Sequence, residues 1–562
     1  MISFAEFLSR FEFRDSPDTN TRTALQVRIG PKNRHRTWTF AELAAAATAR
    51  ADAYRAIGGG AGQRIALLMP HSERLVVSFF GALYAGMIPS VVAWPTSKMD
   101  PAKYRRNLLS VVGSLRADWL VTESSMADQL GSVLGDTRVI DPEIVPRSTA
   151  SSAPMLNRTG PAFIQFSGGT TGNQKSVPIA FEQLYQQIVS YDAVLRFSAQ
   201  DTIISWLPLY HDMGLVACLL IPFALRLPLV MFAPMEWVMD PRPFLRSVGE
   251  SKATLCWLPN FAFSFLAARA GAPDPNVDLA SLRAVINCSE PVRAESMAAF
   301  ADRFQQQGLK GESLHTCYAM AEATFAVTQT SPSDPPRHLR IAQAGFERGQ
   351  ILPTPTGERA ITSCGVPIPE LQLRVVDDDN DACHEGQIGE IEIRGPAVMT
   401  GYLDAQRGST GAILEGGWYR TGDLGALIDK HVYVTGRKKD LIMVGGVNVY
   451  PEDIEVSLAQ IDGLRPGRAV AMGVFDGGLG TERLVVVAEA TDGLPSEQAR
   501  DLELAVRKAV LVVCGISPTK VFIVPPNWIV KSTAGKLARG ETKERVIAAW
   551  HDLAGEPPDS PK

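Results

Sequence analysis

Short apolar runs that alternate with helical stretches constrain the fold of this chain more than any other sequence feature. The runs Arg64–Met69, Ser90–Ala93 and Trp119–Thr122 have the length of buried strands, and Leu75–Ala85 between them has a helical pattern. Strands that alternate with helices predict a parallel sheet covered on both faces. Because ligands of such sheets bind at the carboxyl ends of the strands, polar motifs that follow apolar runs are the candidate functional residues.

The second half of the chain has a different pattern. Leu371–Arg394 alternates with period two, which predicts antiparallel strands. Farther on, helical stretches at Glu452–Ala459 and Gln498–Val513 stand among short strands, in the style of an α+β unit. We therefore predict a domain boundary at about Gly436.

Composition excludes several classes of protein. The 562 residues are 46% hydrophobic and 20% charged, with a net charge of −5, so no basic surplus indicates nucleic acid binding. The seven cysteines include no CxxC pair, which argues against a zinc site or a disulfide framework and favours free thiols in a reducing cytosol. No signal-peptide core and no run of ~18 apolar residues is present. We therefore expect a cytoplasmic protein without a membrane span.

The loop Phe163–Val177, FIQFSGGTTGNQKSV, joins an apolar run to a stretch of Ser, Thr and Gly that ends near Lys175. Glycines let backbone N–H groups point inward, hydroxyls add donors and the lysine adds positive charge, as a cradle for phosphate oxygens requires. The glycine spacing differs from that of the GxxxxGK[ST] nucleotide loop. Taken alone, the loop could equally be a flexible surface loop.

Other polar motifs stand just beyond apolar runs. Tyr210–Asp212 places a histidine beside an aspartate, either as a base with its orienting partner or as the cap of the next helix. Glu322 follows an apolar run and is a hard oxygen donor suited to magnesium. Asp423 follows a glycine turn, as an acidic residue that holds a sugar diol would, although a turn aspartate is the simpler alternative. A basic turn, Arg437–Asp440, and a polar loop, Lys531–Lys536, complete the set.

In this order, the motifs SGGTTGNQK, YAMAEAT, YRTGDLG, GRKKDLIMVGG and KSTAGK resemble those of the adenylate-forming superfamily of acyl-CoA synthetases, adenylation domains and luciferases. The stretches WLPLYHDMGLV and NCSEPVR, and an insertion at Ser331–Ala360 ahead of SCGVP, resemble the fatty acyl-AMP ligases. In that branch the insertion is thought to restrain the small domain, so that the enzymes stop at the acyl-adenylate and pass the acyl group to a carrier protein.

The resemblance implies an α/β fold. A large N-terminal domain, residues 1–436, would contain mixed, largely parallel sheets with flanking helices and a β-subdomain; a small mobile α+β domain, residues 437–562, would carry the mobile lysine. It implies ATP- and Mg²⁺-dependent conversion of a carboxylic acid, in the first instance a fatty acid, to acyl-adenylate and pyrophosphate, for transfer to an acyl carrier protein. A monomer or weak dimer is expected. An acyl-CoA synthetase and a non-catalytic nucleotide-binding relative stay open as alternatives.

The resemblance also assigns roles to residues. Lys536 would bridge the carboxylate and the α-phosphate, Thr170 and Glu322 would hold magnesium, and His211 would form a wall of the acyl pocket, because a carboxylate needs no deprotonation to attack. The nucleotide-binding residues would be Thr171, Gly172, Lys175, Ser289, Glu290, Pro291, Tyr318, Ala319, Met320, Asp423 and Arg437.

Three positions depart from the family pattern. Gly168 stands where a hydroxyl residue is common, Ser176 stands where glycine is usual, and Ala319 replaces the usual glycine. These changes bear on substrate identity and rate more than on the class of reaction.

Overall fold

A computed structural model describes residues 2–13, 20–29, 34–96, 101–130, 134, 136–142, 153–167, 174–403, 412–445, 447–476, 481–491, 496–531 and 537–550. The helices are α1 Phe4–Phe11, α2 Phe40–Ala56, α3 Glu73–Tyr84, α4 Pro101–Leu115, α5 Ser124–Leu130, α6 Phe181–Leu195, α7 Ile221–Leu225, α8 Pro234–Met239, α9 Arg242–Ser251, α10 Asn260–Arg269, α11 Ala294–Phe304, α12 Gln343–Glu347, α13 Pro451–Leu458, α14 Ser496–Cys514 and α15 Arg539–Ala548. A π-helix spans Met213–Leu220.

The strands follow the predicted apolar runs closely, and each predicted run named above overlaps a strand. They are β1 Thr23–Ile29, β2 Arg34–Thr39, β3 Arg64–Leu68, β4 Ile88–Val92, β5 Trp119–Val121, β6 Arg138–Ile140, β7 Pro161–Phe166, β8 Ser176–Ala180, β9 Ile203–Ser205, β10 Leu229–Met231, β11 Leu255–Leu258, β12 Ala284–Asn287, β13 Leu314–Ala319, β14 Ala326–Gln329, β15 His338–Ile341, β16 Arg359–Thr362, β17 Val366–Pro367, β18 Gln372–Val376, β19 Gly389–Arg394, β20 Tyr419–Ile428, β21 His431–Arg437, β22 Ile442–Val444, β23 Val447–Val449, β24 Leu464–Asp476, β25 Thr481–Ala490 and β26 Lys520–Val524.

The predicted α/β fold is confirmed. Within the described ranges, the largest sheet has the order β17-β14-β13-β12-β11-β9-β10-β1-β2, parallel in its middle and antiparallel at both edges. A second sheet, β4-β3-β5-β6, is parallel throughout. Helix α3 packs against β3 and β4, and α2 packs on α3. Helix α2 begins with a capping box in which Thr39 and Glu42 exchange hydrogen bonds.

The loop Phe163–Val177 does not emerge where a parallel sheet would place it. Strands β7 and β8 on its two sides pair with each other in antiparallel fashion, so the loop connects two antiparallel strands rather than following a strand of the parallel sheet; residues 168–173 lie outside the described residues. The hairpin lies against the parallel sheet, where the Ser90 hydroxyl donates to the Ile164 carbonyl at 2.9 Å. The expectation from sequence was therefore wrong about the local topology, because apolar runs do not reveal strand direction.

The predicted antiparallel region forms the sheet β18-β19-β20-β21. The final section forms the sheet β24-β25-β26 with α13, α14 and α15, and its apolar side chains make separate core clusters. Strand β21 ends at Arg437, and a 3₁₀ turn, Lys438–Asp440, follows it. The domain division at residue 436 stays a prediction. In the described part of the chain, no helix is both long enough and apolar enough to cross a membrane.

Candidate active site

One cleft collects every predicted site residue that the structure describes. Its walls come from the ends of the large sheet, from β20 and β21, and from the final section of the chain. Thr170, Thr171, Gly172 and Lys536 lie outside the described residues, so their roles stay predictions. The predicted residues that line the cleft are Lys175, His211, Ser289, Glu290, Pro291, Tyr318, Ala319, Met320, Glu322, Asp423 and Arg437.

Asp423 stands at the centre of a polar cluster. The register of β20 and β21 places it directly opposite Arg437, whose Nε lies 3.1 Å from Asp423 Oδ1. The Tyr318 hydroxyl, at the end of β13, donates to Asp423 Oδ2 at 2.6 Å. The backbone N–H of Asp423 donates to the Thr421 hydroxyl at 3.0 Å. Because Asp423 is 6% exposed and its carboxylate is held by Tyr318 and Arg437, the orientation of the carboxylate is fixed.

Glu322 lies in a 3₁₀ turn, Ala321–Ala323, just after β13. Its carboxylate is 8% exposed and accepts a hydrogen bond of 2.8 Å from the Tyr402 hydroxyl. The Tyr402 and Tyr419 hydroxyls lie 2.9 Å apart. Since each hydroxyl carries one proton, Tyr419 donates to Tyr402 while Tyr402 donates to Glu322. Burial raises the pKa of Glu322, because the charged carboxylate is poorly solvated there.

The backbone beyond Glu322 is strained and firmly anchored. Thr324 has a φ of +66°, which a β-branched residue rarely adopts. Its hydroxyl donates to the Ala397 carbonyl at 2.7 Å, and its own carbonyl accepts from Gln165 at 3.0 Å. Backbone strain of this kind persists where the surroundings fix a functional geometry. The turn therefore holds the Glu322 carboxylate in place.

Positive charge gathers beside these carboxylates. The Lys175 ammonium lies 4.6 Å from the centre of the Tyr402 ring. Asp423 raises the pKa of Arg437, whereas burial and the neighbouring Arg437 lower the pKa of Lys439, with Lys175 acting in the same direction. Lys175, Arg437 and Lys439 thus all line the cleft, and three cations in one wall would stabilise an anionic ligand.

His211 and Asp212 make different contacts. Asp212 accepts from the Met213 N–H at 2.8 Å and so caps the π-helix, while the Nδ1 atom of His211 lies 2.5 Å from Asp212 Oδ1 and the ring lines the cleft. A π-helix is rare and is often found at functional sites. Gly214 allows it to pack closely, because a Cβ there would lie 2.3 Å from the Pro208 carbonyl oxygen. The aspartate rather than the histidine is therefore the helix cap, and the role of His211 stays a prediction.

An aromatic branch extends the cleft past His211. The Trp206 and Trp237 rings stack with centroids 3.9 Å apart and planes within 6°. Trp206 lines the cleft with Val238, Phe261 and other apolar side chains, whereas Trp237 supports it from behind and is 1% exposed. Phe261, on α10, is 45% exposed toward this space. The branch can accommodate an apolar chain.

The segment after β12 forms another wall of the cleft. Ser289 has a φ of +68°, and Glu290 accepts from the Phe261 N–H at 2.9 Å, so this carboxylate anchors the start of α10. Ala319 sits at a shift of register between β13 and β14, where an irregular strand turns its side chain toward the cleft. The extra methyl group that distinguishes it from glycine therefore lies in the cleft wall.

The insertion Ser331–Ala360 contains β15 and the start of β16, which pair in antiparallel fashion, and it reaches the final section of the chain. Arg359 pairs with Asp453 of α13, and Arg293 pairs with the same carboxylate at 3.1 Å. The Arg359 guanidinium also lies 3.8 Å from the centre of the Phe346 ring, which in turn contacts Tyr450 at 4.6 Å. We call this group of contacts, formed by Arg359, Arg293, Asp453, Phe346 and Tyr450, the insertion clasp. The clasp ties the insertion and the wall after β12 to the start of α13.

The sequence did not predict the contact of Tyr402 with Glu322 or that of Tyr419 with Tyr402. Tyr419 stands inside the motif WYRTGDLG, so its proximity to the site could have been inferred from that motif. No local pattern marks Tyr402, which reaches Glu322 across 80 residues of chain. The partners of Asp453 were also missed, because ion pairs between distant segments leave no periodic signal.

Comparisons with known proteins agree with this geometry. Residues 13–403 match the family model of AMP-binding enzymes. A protein of Caulobacter vibrioides with the provisional name acyl-CoA synthetase is 29% identical over 526 residues, 91% of each chain. The medium-chain-fatty-acid–[acyl-carrier-protein] ligase JamA of Moorena producens is 28% identical over 520 residues, 87% of this chain and 86% of JamA.

The fold has solved counterparts. A structure from studies of fatty acyl-adenylate ligases of E. coli and L. pneumophila superposes with a TM-score of 0.86 at 24% identity and covers 98% of both chains. At that identity the likeness concerns the fold alone. The family model, by contrast, spans well over half of the sequence and contains the hairpin loop, Glu322 and the aromatic branch. The chain therefore belongs to the AMP-binding family of adenylate-forming enzymes.

Proposed function

We propose that this protein activates a carboxylic acid, in the first instance a fatty acid, as its acyl-adenylate and then passes the acyl group to an acyl carrier protein. One observation carries the proposal. A single cleft joins an oriented carboxylate for a sugar diol, a buried carboxylate beside converging cations, and an aromatic branch. These parts match the ribose, the phosphates and the acyl chain of an acyl-adenylate.

Asp423 is suited to the ribose. An ionised carboxylate offers about four lone-pair sites. Tyr318 uses one on Oδ2, and Arg437 is an ion-pair partner 3.1 Å from Oδ1, so each oxygen keeps at least one site for the two hydroxyls of a ribose. We assign Tyr318, Ala319 and Met320 to the adenine side, with Ser289, Glu290 and Pro291 along its edge.

Glu322 is suited to Mg²⁺. A magnesium ion usually takes one or two carboxylates and completes its shell with phosphate oxygens and water. Tyr402 occupies only one oxygen of Glu322, and the buried carboxylate with a raised pKa would gain from a cation beside it. Bound Mg²⁺ would neutralise phosphate charge. We assign Glu322 to this ion, with Thr170 as a second contact by family resemblance.

The chemical step joins two anions, the acid and the α-phosphate of ATP, so positioning and charge neutralisation supply most of the catalysis. We assign Lys175, with Thr171 and Gly172, to the departing pyrophosphate. Lys536 would bridge the attacking carboxylate and the α-phosphate. The attacking oxygen bonds to phosphorus as the bond to pyrophosphate breaks, and no proton moves. His211 therefore serves as a wall of the acyl pocket rather than as a base.

The acceptor of the acyl group is the finer part of the proposal. The insertion clasp supports a carrier protein, because an insertion tied to Asp453 would resist rearrangement of the final section, as in the acyl-AMP ligases that the sequence resembles. The name of JamA, an acyl-carrier-protein ligase, supports the same acceptor. The name of the Caulobacter relative favours the second candidate, an acyl-CoA synthetase.

Product analysis distinguishes the two candidates. The protein is incubated with ATP, Mg²⁺, a medium-chain acid and coenzyme A, and the products are separated by mass spectrometry. We expect acyl-AMP and little acyl-CoA. Abundant acyl-CoA would establish the second candidate, and neither product with any acid tested would favour a non-catalytic nucleotide-binding relative.

The proposal also includes the domain division and the oligomeric state that we expected from the sequence. We assign residues 437–562 to a small mobile domain that carries Lys536, since β21 ends at Arg437 and the final sheet has its own core clusters. A cytoplasmic monomer or weak dimer remains our prediction.

A further inference from the structure

Residues 465–468, Arg-Pro-Gly-Arg, form a bulge at the start of β24 that no part of the proposed adenylation uses. We call it the RPGR bulge. The pairing of β24 with β25 shifts register between Leu464 and Ala469, so these residues leave the ladder. Gly467 has a φ of +67°, which glycine adopts without strain. All four residues line the same cleft as Asp423 and Glu322.

The bulge holds its two arginines around a single carboxylate. Arg465 Nη1 lies 3.1 Å from Glu489 Oε2, and Arg468 Nη1 lies 3.6 Å from Glu489 Oε1. Glu489 is 0% exposed and also accepts from the Ile529 N–H at 2.8 Å. The carboxylate is therefore fixed, and it orients both guanidinium groups.

Three cations, Arg465, Arg468 and Lys531, stand against two carboxylates, Glu489 and Glu290, at this place. Lys531 also lines the cleft there, and burial together with Arg468 lowers the pKa of Lys531 to about 8. Both arginines use Nη1 for their contacts with Glu489, and the structure describes no further partner for their Nε and Nη2 atoms among the residues it includes. A guanidinium with a free edge pairs readily with the oxygens of a phosphate.

The proposed reaction brings one more phosphate into the cleft. The nucleotide phosphates are assigned to Lys175 and its neighbours, whereas the second step needs a thiol. Carrier proteins and coenzyme A both present that thiol on a pantetheine arm that begins with a phosphate. We propose that the RPGR bulge binds the phosphate of the incoming pantetheine arm, with Lys531 as an auxiliary cation; this inference rests on the proposed acyl transfer.

Binding of two small thiols tests the inference. 4′-Phosphopantetheine and pantetheine differ only in the phosphate, and each is titrated calorimetrically into the full chain with ATP and Mg²⁺ present. We expect 4′-phosphopantetheine to bind about tenfold more tightly or better, the scale of one charge-assisted hydrogen bond. Equal affinity of the two thiols, or no binding of either, would overturn the inference.

Single substitutions locate the phosphate. Arg465→Gln and Arg468→Gln each leave one arginine on Glu489, which avoids stranding a buried charge. Either change should reduce the preference for 4′-phosphopantetheine to about threefold or less, without a change in pantetheine affinity. Arg500→Gln, an exposed position on α14 outside the cleft, is the matched control and should keep the full preference. A preference that survives both bulge substitutions would refute the assignment.

Two further measurements identify the source of the phosphate and separate failure of this inference from failure of the proposed adenylation. Coenzyme A carries additional phosphates, so tighter binding of coenzyme A than of 4′-phosphopantetheine would identify the free cofactor as the source of the arm, whereas equal binding would identify the phosphate that it shares with a carrier protein. Acid-dependent pyrophosphate exchange is measured separately on the wild type. Exchange without a phosphate preference would refute only this inference, and a phosphate preference without exchange would refute only the proposed adenylation.

Discussion

Replacing Tyr318 with phenylalanine isolates the contact that orients Asp423. Phenylalanine fills the same buried space and keeps the ring, so the change removes only the hydroxyl that donates to Asp423 Oδ2 at 2.6 Å. A hydrogen bond to a charged acceptor contributes about 1.5–3 kcal/mol. Since ~1.4 kcal/mol is a factor of ten, kcat/KM for ATP should fall about 10- to 150-fold if this orientation is fully used in the transition state.

The assay is pyrophosphate exchange at saturating acid, with ATP varied. Because Asp423 keeps Arg437 and the Thr421 contact, we expect the loss mainly in KM for ATP, with kcat changed less. Tyr419→Phe is a matched control, since it removes a buried hydroxyl from the same cleft that bonds Tyr402 rather than Asp423. A KM for ATP within twofold of the wild type in Tyr318→Phe would refute the role of this hydrogen bond.

Three other changes test separate parts of the site. Lys536→Ala should lower acid-dependent exchange by ~10²-fold or more, the scale of one lost transition-state charge partner, and an unchanged rate would remove Lys536 from the mechanism. Glu322→Gln should abolish most Mg²⁺-dependent exchange but raise the midpoint of thermal unfolding at neutral pH. Burial raises the pKa of Glu322 in the folded protein, so the ionised side chain destabilises the fold as pH rises, and the difference between variant and wild type should shrink below pH ~4.5. An equal midpoint of the two proteins at every pH would contradict this. Arg359→Ala should open the insertion clasp and raise acyl-CoA formation about fivefold, because a partly exposed ion pair contributes ~1 kcal/mol. Arg340→Ala, in the same insertion, is the control and should leave acyl-CoA formation unchanged. Equal yields of acyl-CoA from both variants would refute the role of the clasp.

Much of the fold and of the site could be predicted because both depend on local signals. Apolar runs of strand length located the strands, and the family motifs indicated that Glu322 and Asp423 lie in one cleft. Glu322 follows β13, which is parallel to β12, so its position agrees with the rule that ligands bind at the ends of parallel strands. Asp423 instead lies within the antiparallel strand β20 rather than after a turn, so its place in the cleft was predicted from the family motif alone. The order of the motifs was therefore enough to predict which side chains gather.

The predictions that failed concerned strand direction and contacts between segments that are distant in sequence. The hairpin of β7 and β8 is antiparallel although its apolar runs look like those of the parallel strands. The π-helix Met213–Leu220 is apolar on every side, so no periodicity distinguishes it from a buried strand or an α-helix. Tyr402 reaches Glu322, and Asp453 reaches Arg359, only through the packing of distant segments. Such pairs can be recognised only in a three-dimensional structure.

The central claim is that the cleft adenylates a carboxylic acid with an apolar chain. Exchange of labelled pyrophosphate into ATP, measured over a panel of fatty, aryl and short branched acids, tests it most directly. We predict exchange that requires an acid, reaches its maximum with a chain that fills the branch beside Trp206 and Phe261, and is lost in Asp423→Ala. No exchange with any acid, or exchange that is independent of the acid, would contradict the account.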